Sequence, residues 1–190
     1  MTNYFFFIST SNNIEIPKGV REIETAAFQG CTLLENVSLP KSIKTLSDRI
    51  FSDCVLLNNV EVPKGVKEVG GYAFYNCFSL KNIVLHDKIR SMGEFAFAGC
   101  GDIESVKLPK KLTTIERSTF YKCSSLKEID LSAISPYYEE EHKLGTFDSW
   151  EIIDENTAIK TCDKSFFEHK GSGVPKNICW FFDAEDISSG

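Results

Sequence analysis

The sequence predicts a solenoid: one domain of stacked coils, with a parallel β-sheet on one face and short strands or single helical turns on the other. Three observations predict it. A shift of 23 residues superimposes the chain on itself. Two columns of that register are invariant, Phe28, Phe51, Phe74, Phe97 and Phe120 in one, Cys31, Cys54, Cys77, Cys100 and Cys123 in the other. The softer columns exchange only among apolar residues, as in Ile14, Val37, Val60, Ile83, Val106 and Ile129. A fixed period of about 20 to 30 residues with an apolar register marks units that each bury one face against the next.

The chain opens partway through a repeat, because one period before Phe28 stands Phe5 and one before Cys31 stands Ile8. Residues 1–13 therefore read as a degenerate half-repeat, with Tyr4 to Ile8 a makeshift cap unless further repeats precede it. Residues 14–131 hold five 23-residue repeats and a final strand. Within a repeat, Leu34-Glu35-Asn36-Val37-Ser38-Leu39 alternates, so Val37 and Leu39 point inward and Asn36 and Ser38 outward, as a strand requires. Pro40 ends it. Six such copies predict one six-stranded parallel sheet at about 4.8 Å per coil.

The return path, Ile43 and Leu46 followed by Ile50-Phe51 and Cys54, is too short for a three-turn helix. It predicts a short second strand or extended stretch and then a single helical turn, with Phe51 plugging the coil. Gly70 and Gly93 share a column with Glu24, Ser47 and Glu116, which reads as a permissive turn. After Leu131 the register fails. Residues 132–142 read as a polar insertion, and Phe147-Asp148-Ser149-Trp150 echoes the Phe-x-x-Cys motif four residues late. Phe166, Phe167, Ile178, Trp180, Phe181 and Phe182 are too apolar for a disordered tail. Residues 132–190 thus read as a degenerate repeat and C-terminal cap, or alternatively as an aromatic docking surface. The 190 residues, 42% hydrophobic, leave no place for a linker.

The unit Leu-x-x-Ile-x-Leu-Pro-x-x-Leu-x-x-Ile-x-x-x-Ala-Phe-x-x-Cys, followed throughout 14–131, closely resembles the BspA-like class of leucine-rich repeat. The resemblance implies a curved, right-handed leucine-rich-repeat solenoid used for adhesion or protein recognition, often on the surface of bacteria and parasitic protists. It implies no catalytic residue, because the family motif is structural.

The net charge of -6 argues against a general nucleic-acid binder. Five of the seven cysteines occupy one repeat position and read as small buried hydrophobes rather than disulfide partners. Cys162 and Cys179 could pair with each other. Met1 to Ile8 has no basic lead and no small-residue cleavage site, so no signal peptide is seen, and no stretch is long enough to span a bilayer. Taken literally, the chain is cytoplasmic; as a fragment of a longer chain it would belong at the cell surface or be secreted.

His86, His142 and His169 are scattered, and Cys162, His169 and Cys179 lack the compact spacing of a zinc site. No enzyme activity, cofactor or metal is expected. The expected function is a noncatalytic interaction module that presents outward strand positions Asn36, Ser38, Asn59, Glu61, Asn82, Val84, Lys107, Glu128 and Asp130 to a protein partner. The alternative is an adhesin that binds a glycan or matrix component, again without membrane insertion. The asparagines read as a stacked amide ladder. A second column set, Lys18, Arg21, Lys41, Lys44, Lys64, Lys67, Arg90 and Lys110, forms a basic edge suited to an anionic partner. Its other reading is a solvated edge whose lysines block strand aggregation. His86-Asp87, Glu22, Glu24 and Glu68 interrupt it.

Overall fold

The computed structural model describes residues 12–112, 114–115, 118–130 and 158–160; for 114–115 and 158–160 only the backbone is described. It is a parallel-strand β-solenoid of about five turns, without helices among the described residues. One set of strands is β1 (Asn13–Glu15), β2 (Asn36–Ser38), β4 (Asn59–Val60), β6 (Asn82–Ile83), β8 (Ser105–Lys107) and β10 (Glu128–Asp130). Alternating with it are β3 (Thr45–Leu46), β5 (Glu68–Val69), β7 (Ser91–Met92) and β9 (Thr114–Ile115). The 23-residue register is exact in the pairing: Asn36 lies opposite Asn13 and Asn59, and Leu46 opposite Val69.

The alternation predicted for the first set holds. Val37, Val60, Val106 and Ile129 are buried while Ser38, Asn59, Ser105 and Lys107 are exposed. The single six-stranded sheet does not form. β1, β2, β4 and β6 make one sheet, and β8 and β10 make another, extended by β11 (Ala158–Lys160). The break follows β6, where Ile83 is only half-buried although its counterparts in β2, β4, β8 and β10 are buried. In that same coil His86 replaces proline, and its Nε2 lies 2.6 Å from the Pro63 carbonyl oxygen. β11 joins β10 with Ala158 opposite Glu128, thirty residues on rather than 23. The rest of the predicted cap, and the N-terminal half-repeat before Asn12, lie outside the described residues.

The return path differs from the predicted helical turn. After each short strand come two left-handed residues, in columns that keep the period: Ala26, Arg49, Tyr72, Phe95 and Ser118, then Gly30, Asp53, Asn76, Gly99 and Lys122. Each reversal stops a helix after one hydrogen bond of the i to i+3 kind, such as Gln29 N–H to Ala26 C=O. The freed amides bond the next coil instead. Phe51 N–H donates to Ala73 C=O, and Asp53 N–H to Tyr75 C=O at 2.7 Å. Every coil is thus tied to its neighbour on its turns as well as on its strands, which satisfies backbone groups a lone repeat would leave orphaned.

Inside, the phenylalanines form a stack. Successive ring centroids from Phe28 to Phe120 are 5.5, 5.5, 5.2 and 5.6 Å apart, with interplanar angles of 7° to 24°. The cysteine column runs beside it. Each of the thiols of Cys54, Cys77, Cys100 and Cys123 donates to the carbonyl oxygen of the phenylalanine one coil back, at 3.0 to 3.2 Å. Cys31, Cys54, Cys77, Cys100 and Cys123 are all free and buried, as the repeat position suggested.

Gly70 and Gly93 are not a permissive turn. A Cβ on Gly93 would lie 2.5 Å from Gly71 N and 2.8 Å from its Cα, and one on Gly70 would meet Asp48 N at 2.7 Å. Backbone passes too close for a side chain. Gly93→Ala should therefore cost about 1 to 3 kcal/mol in urea unfolding, whereas Gly71→Ala, whose nearest neighbour is 3.5 Å away, should cost less than half as much. Equal losses would mean the coil contact at Gly93 is not tight.

Candidate functional site

The outward strand positions come together where β4 and β6 lie side by side. Asn59 and Asn82 line a shallow depression of about 480 Å³ with Glu35, Leu56, Asn58, Ser79, Lys81 and Asp102. The parallel register sets this arrangement, because it places Asn59 opposite Asn82 and both outward. Asn36 and Ser38 lie on the neighbouring β2, and Glu61 and Val84 directly follow β4 and β6. Lys107, Glu128 and Asp130 lie farther along, beyond the break in the sheet, and there Lys107 pairs with Asp130 at 3.8 Å.

The amide ladder is short. Asn36 Nδ2 donates to Asn13 Oδ1 at 2.8 Å, but Asn59 turns sideways and donates to Asn58 Oδ1. The predicted ladder thus stops before the depression.

Sequence reading missed one margin of this surface, the segment that leads into each strand. Its columns are Leu33, Leu56, Ser79 and Asp102, and Glu35, Asn58, Lys81, Glu104 and Lys127. They vary freely, and Lys127 reaches back one period to Glu104 at 3.1 Å. Leu33, Leu56 and Phe78 stand 41% to 51% exposed on it, and Val84, just past the end of β6, is 67% exposed. The signal was present in the sequence as apolar residues outside the conserved core columns.

A second missed feature lies on the turns. Arg49 sits 4.7 Å over the Tyr72 ring, which stacks on Phe95 at 5.1 Å, with Tyr75 and Tyr121 edge-on at the sides. These residues fill left-handed positions or their neighbours, and stacking offsets the backbone strain there.

The basic edge is formed where strands of the first set turn into those of the second. Lys18, Lys41, Lys64 and Lys110 are exposed, as are Arg21, Lys44, Lys67 and Arg90. Asp87 interrupts the first column and binds Lys110, with Nζ 3.0 Å from Oδ2. That contact holds the Asp87 carboxyl below its usual range. Among the described residues no group of three or more His, Cys, Asp or Glu could hold a metal, and no helix is long and apolar enough to cross a membrane. Cys162, His169 and Cys179 lie outside the described residues.

Solved structures similar to this one include the leucine-rich repeat protein TpLRR of T. pallidum, with 30% identity, TM-score 0.64, and 66% of this chain and 61% of that one covered. The pneumococcal vaccine antigen PcpA shares 17% identity with TM-score 0.75 over 91% of this chain and 42% of its own. A leucine-rich cell surface protein of Faecalibacterium prausnitzii shares 19% with TM-score 0.58 over 92% and 44%. The last two likenesses bear on the fold alone. The chain spans 42% to 61% of the length of these three structures. None of the curated proteins matches the sequence. The family model for the BspA type leucine-rich repeat region matches in six copies, over residues 1–127 and 51–170. With that register, its parallel strands and its buried phenylalanine and cysteine columns, the chain belongs to the BspA-type leucine-rich repeat family.

Proposed function

We propose that this domain is a noncatalytic protein-binding module whose contact surface is the strand face around Asn59 and Asn82. The observation that carries the reading is the exposure of Leu33, Leu56, Phe78 and Val84 about a polar depression. Protein interfaces take their affinity from a few apolar anchors set in a polar surround. Membership of a repeat family whose members serve in binding supports the same reading.

Asn59→Arg with Glu61→Arg should abolish capture of the partner from lysate while leaving the thermal unfolding midpoint within about 2 °C. Both positions are exposed and the change spares the core. Unchanged capture would place the contact surface elsewhere.

A second reading is an adhesin within a longer surface-exposed chain, supported by the chain spanning 42% to 61% of the length of the structures it resembles. Protease treatment of intact native cells decides between compartments. Release of this domain supports the surface reading, and full protection rejects it.

A further inference from the structure

We infer that the basic edge of the first three coils binds a linear anionic polysaccharide lying along the solenoid axis. This site is separate from the strand face.

The segments 17–22, 40–45, 63–68, 86–91 and 109–114 each carry two cations, and their ten cations against three anions give +7 in a chain of net charge -6. Charge is therefore concentrated on one edge, and its field there is opposite to that of the whole molecule. In the first three coils Lys18, Arg21, Lys41, Lys44, Lys64 and Lys67 make no ion pair among the described residues. Their spacing is fixed by the parallel ladder at about 4.8 Å from coil to coil.

Between the two cation columns runs a floor of small residues, Gly19, Ser42 and Gly65. Nothing lies within 4 Å of where a Cβ on Gly19 would stand, so the floor there is open. Lys44 Nζ would lie only 2.7 Å from a Cβ on Gly65, so it lies across that floor toward the next coil. The strip ends at the fourth coil, where Lys88 takes the small-residue column and Asp87 binds Lys110.

The strip has no exposed large apolar side chain; those of the described residues are Leu33, Leu56, Phe78 and Val84, on the strand face and its other margin. A protein helix would need an apolar anchor to bury. An extended acidic peptide repeats same-side groups at about 6.6 to 6.8 Å, two residues at a time, and falls out of step with the coils. Single-stranded nucleic acid relies on aromatic platforms for its bases, and the edge has none. A polysaccharide with one carboxylate or sulfate per ring, its rings flipping alternately, returns a same-side charge after nearly two strand spacings, so it stays in step with every second coil and offers hydroxyls to the open floor at Gly19.

The test is a binding series with the full chain and four probes of matched length: a heparin oligosaccharide, an oligogalacturonate, an oligoglutamate and a single-stranded DNA. Binding to the heparin probe, the galacturonate probe or both is expected, and which one binds distinguishes sulfate from carboxylate. Affinity should fall at least tenfold between about 0.05 and 0.5 M salt. Lys18→Gln, Lys41→Gln and Lys64→Gln together should weaken it at least tenfold. The control Lys81→Gln, Lys107→Gln and Lys127→Gln, with the same charge change on the strand side, should leave it within twofold. Equal loss in both triple variants, equal or tighter binding of oligoglutamate or DNA, or no binding of either sugar at low salt would overturn the inference. Thermal unfolding of both variants separates misfolding from loss of the site. Neither outcome depends on the strand face, which Asn59 and Glu61 report independently.

Discussion

Phe74→Ala should destabilise the domain by about 3 to 5 kcal/mol, the range for removal of a buried aromatic ring. Phe74 is fully buried, with Phe51 stacked on one side at 5.5 Å and Phe97 on the other at 5.2 Å. Its backbone is tied to the following coil by Phe74 N–H to Ala96 C=O and Cys100 Sγ–H to Phe74 C=O, and that of the adjacent Ala73 to the preceding coil by Phe51 N–H to Ala73 C=O. The coils therefore cannot close over the vacancy without breaking those bonds. A domain of ordinary stability, about 5 to 15 kcal/mol, would lose a large share of it. Urea unfolding of the variant against the parent, followed by circular dichroism, measures the loss. A cost below about 1 kcal/mol would mean that the stack does not support the coil. Phe120→Ala is the internal comparison: it has a described neighbour on only one side, Phe97 at 5.6 Å.

Alkaline pH should unfold the domain steeply, and the cysteine column is the reason. Burial pushes the Cys54 and Cys123 thiols up from 9.0 to about 12 and those of Cys77 and Cys100 well above 9.0, since a thiolate in the core would lose its hydration. Neighbouring thiols push Cys54, Cys77 and Cys100 in the same direction. The unfolded chain then releases these protons near pH 9 while the folded chain keeps them. Stability is present in full below pH 9 and falls as pH rises toward 12, at up to about 1.4 kcal/mol per pH unit for each thiol. Four thiols acting together would exhaust an ordinary stability within roughly two to three pH units above 9. Urea midpoints taken between pH 8 and 10.5 measure the slope, and Cys100→Ala should make it shallower by about one thiol's share. An unchanged slope in that variant would assign the alkaline loss to other groups. At pH 8 the same column should resist alkylation until denaturant is added.

The register alone made the parallel strands, the inward alternation at Val37 and Val60, and the phenylalanine and cysteine columns legible. Each follows from a property that repeats every 23 residues, and a repeated property needs only its neighbour's identical copy to be satisfied. The turn conformation was not legible in the same way. Arg49, Tyr72 and Phe95 occupy a left-handed column, although their residue types disfavour it. Stacking and coil-to-coil hydrogen bonds outweigh that preference, and neither exists until the coils are assembled. Gly93 was misread for the same reason, because the backbone that crowds it belongs to the preceding coil.

The candidate site divides along this line. Asn59, Asn82 and the lysine columns were found because they repeat. Glu35, Leu56, Ser79 and Asp102 entered only through the depression they share with those asparagines, since their columns keep no common chemistry.

The sequence by itself determined a 23-residue coil, its direction of stacking and its core, because every such choice is repeated and each copy reinforces the others. Only the tertiary structure decided where the sheet breaks after β6, which turns go left-handed and which exposed side chains converge on one surface. Those outcomes depend on contacts between unlike residues of neighbouring coils, and no single repeat carries them.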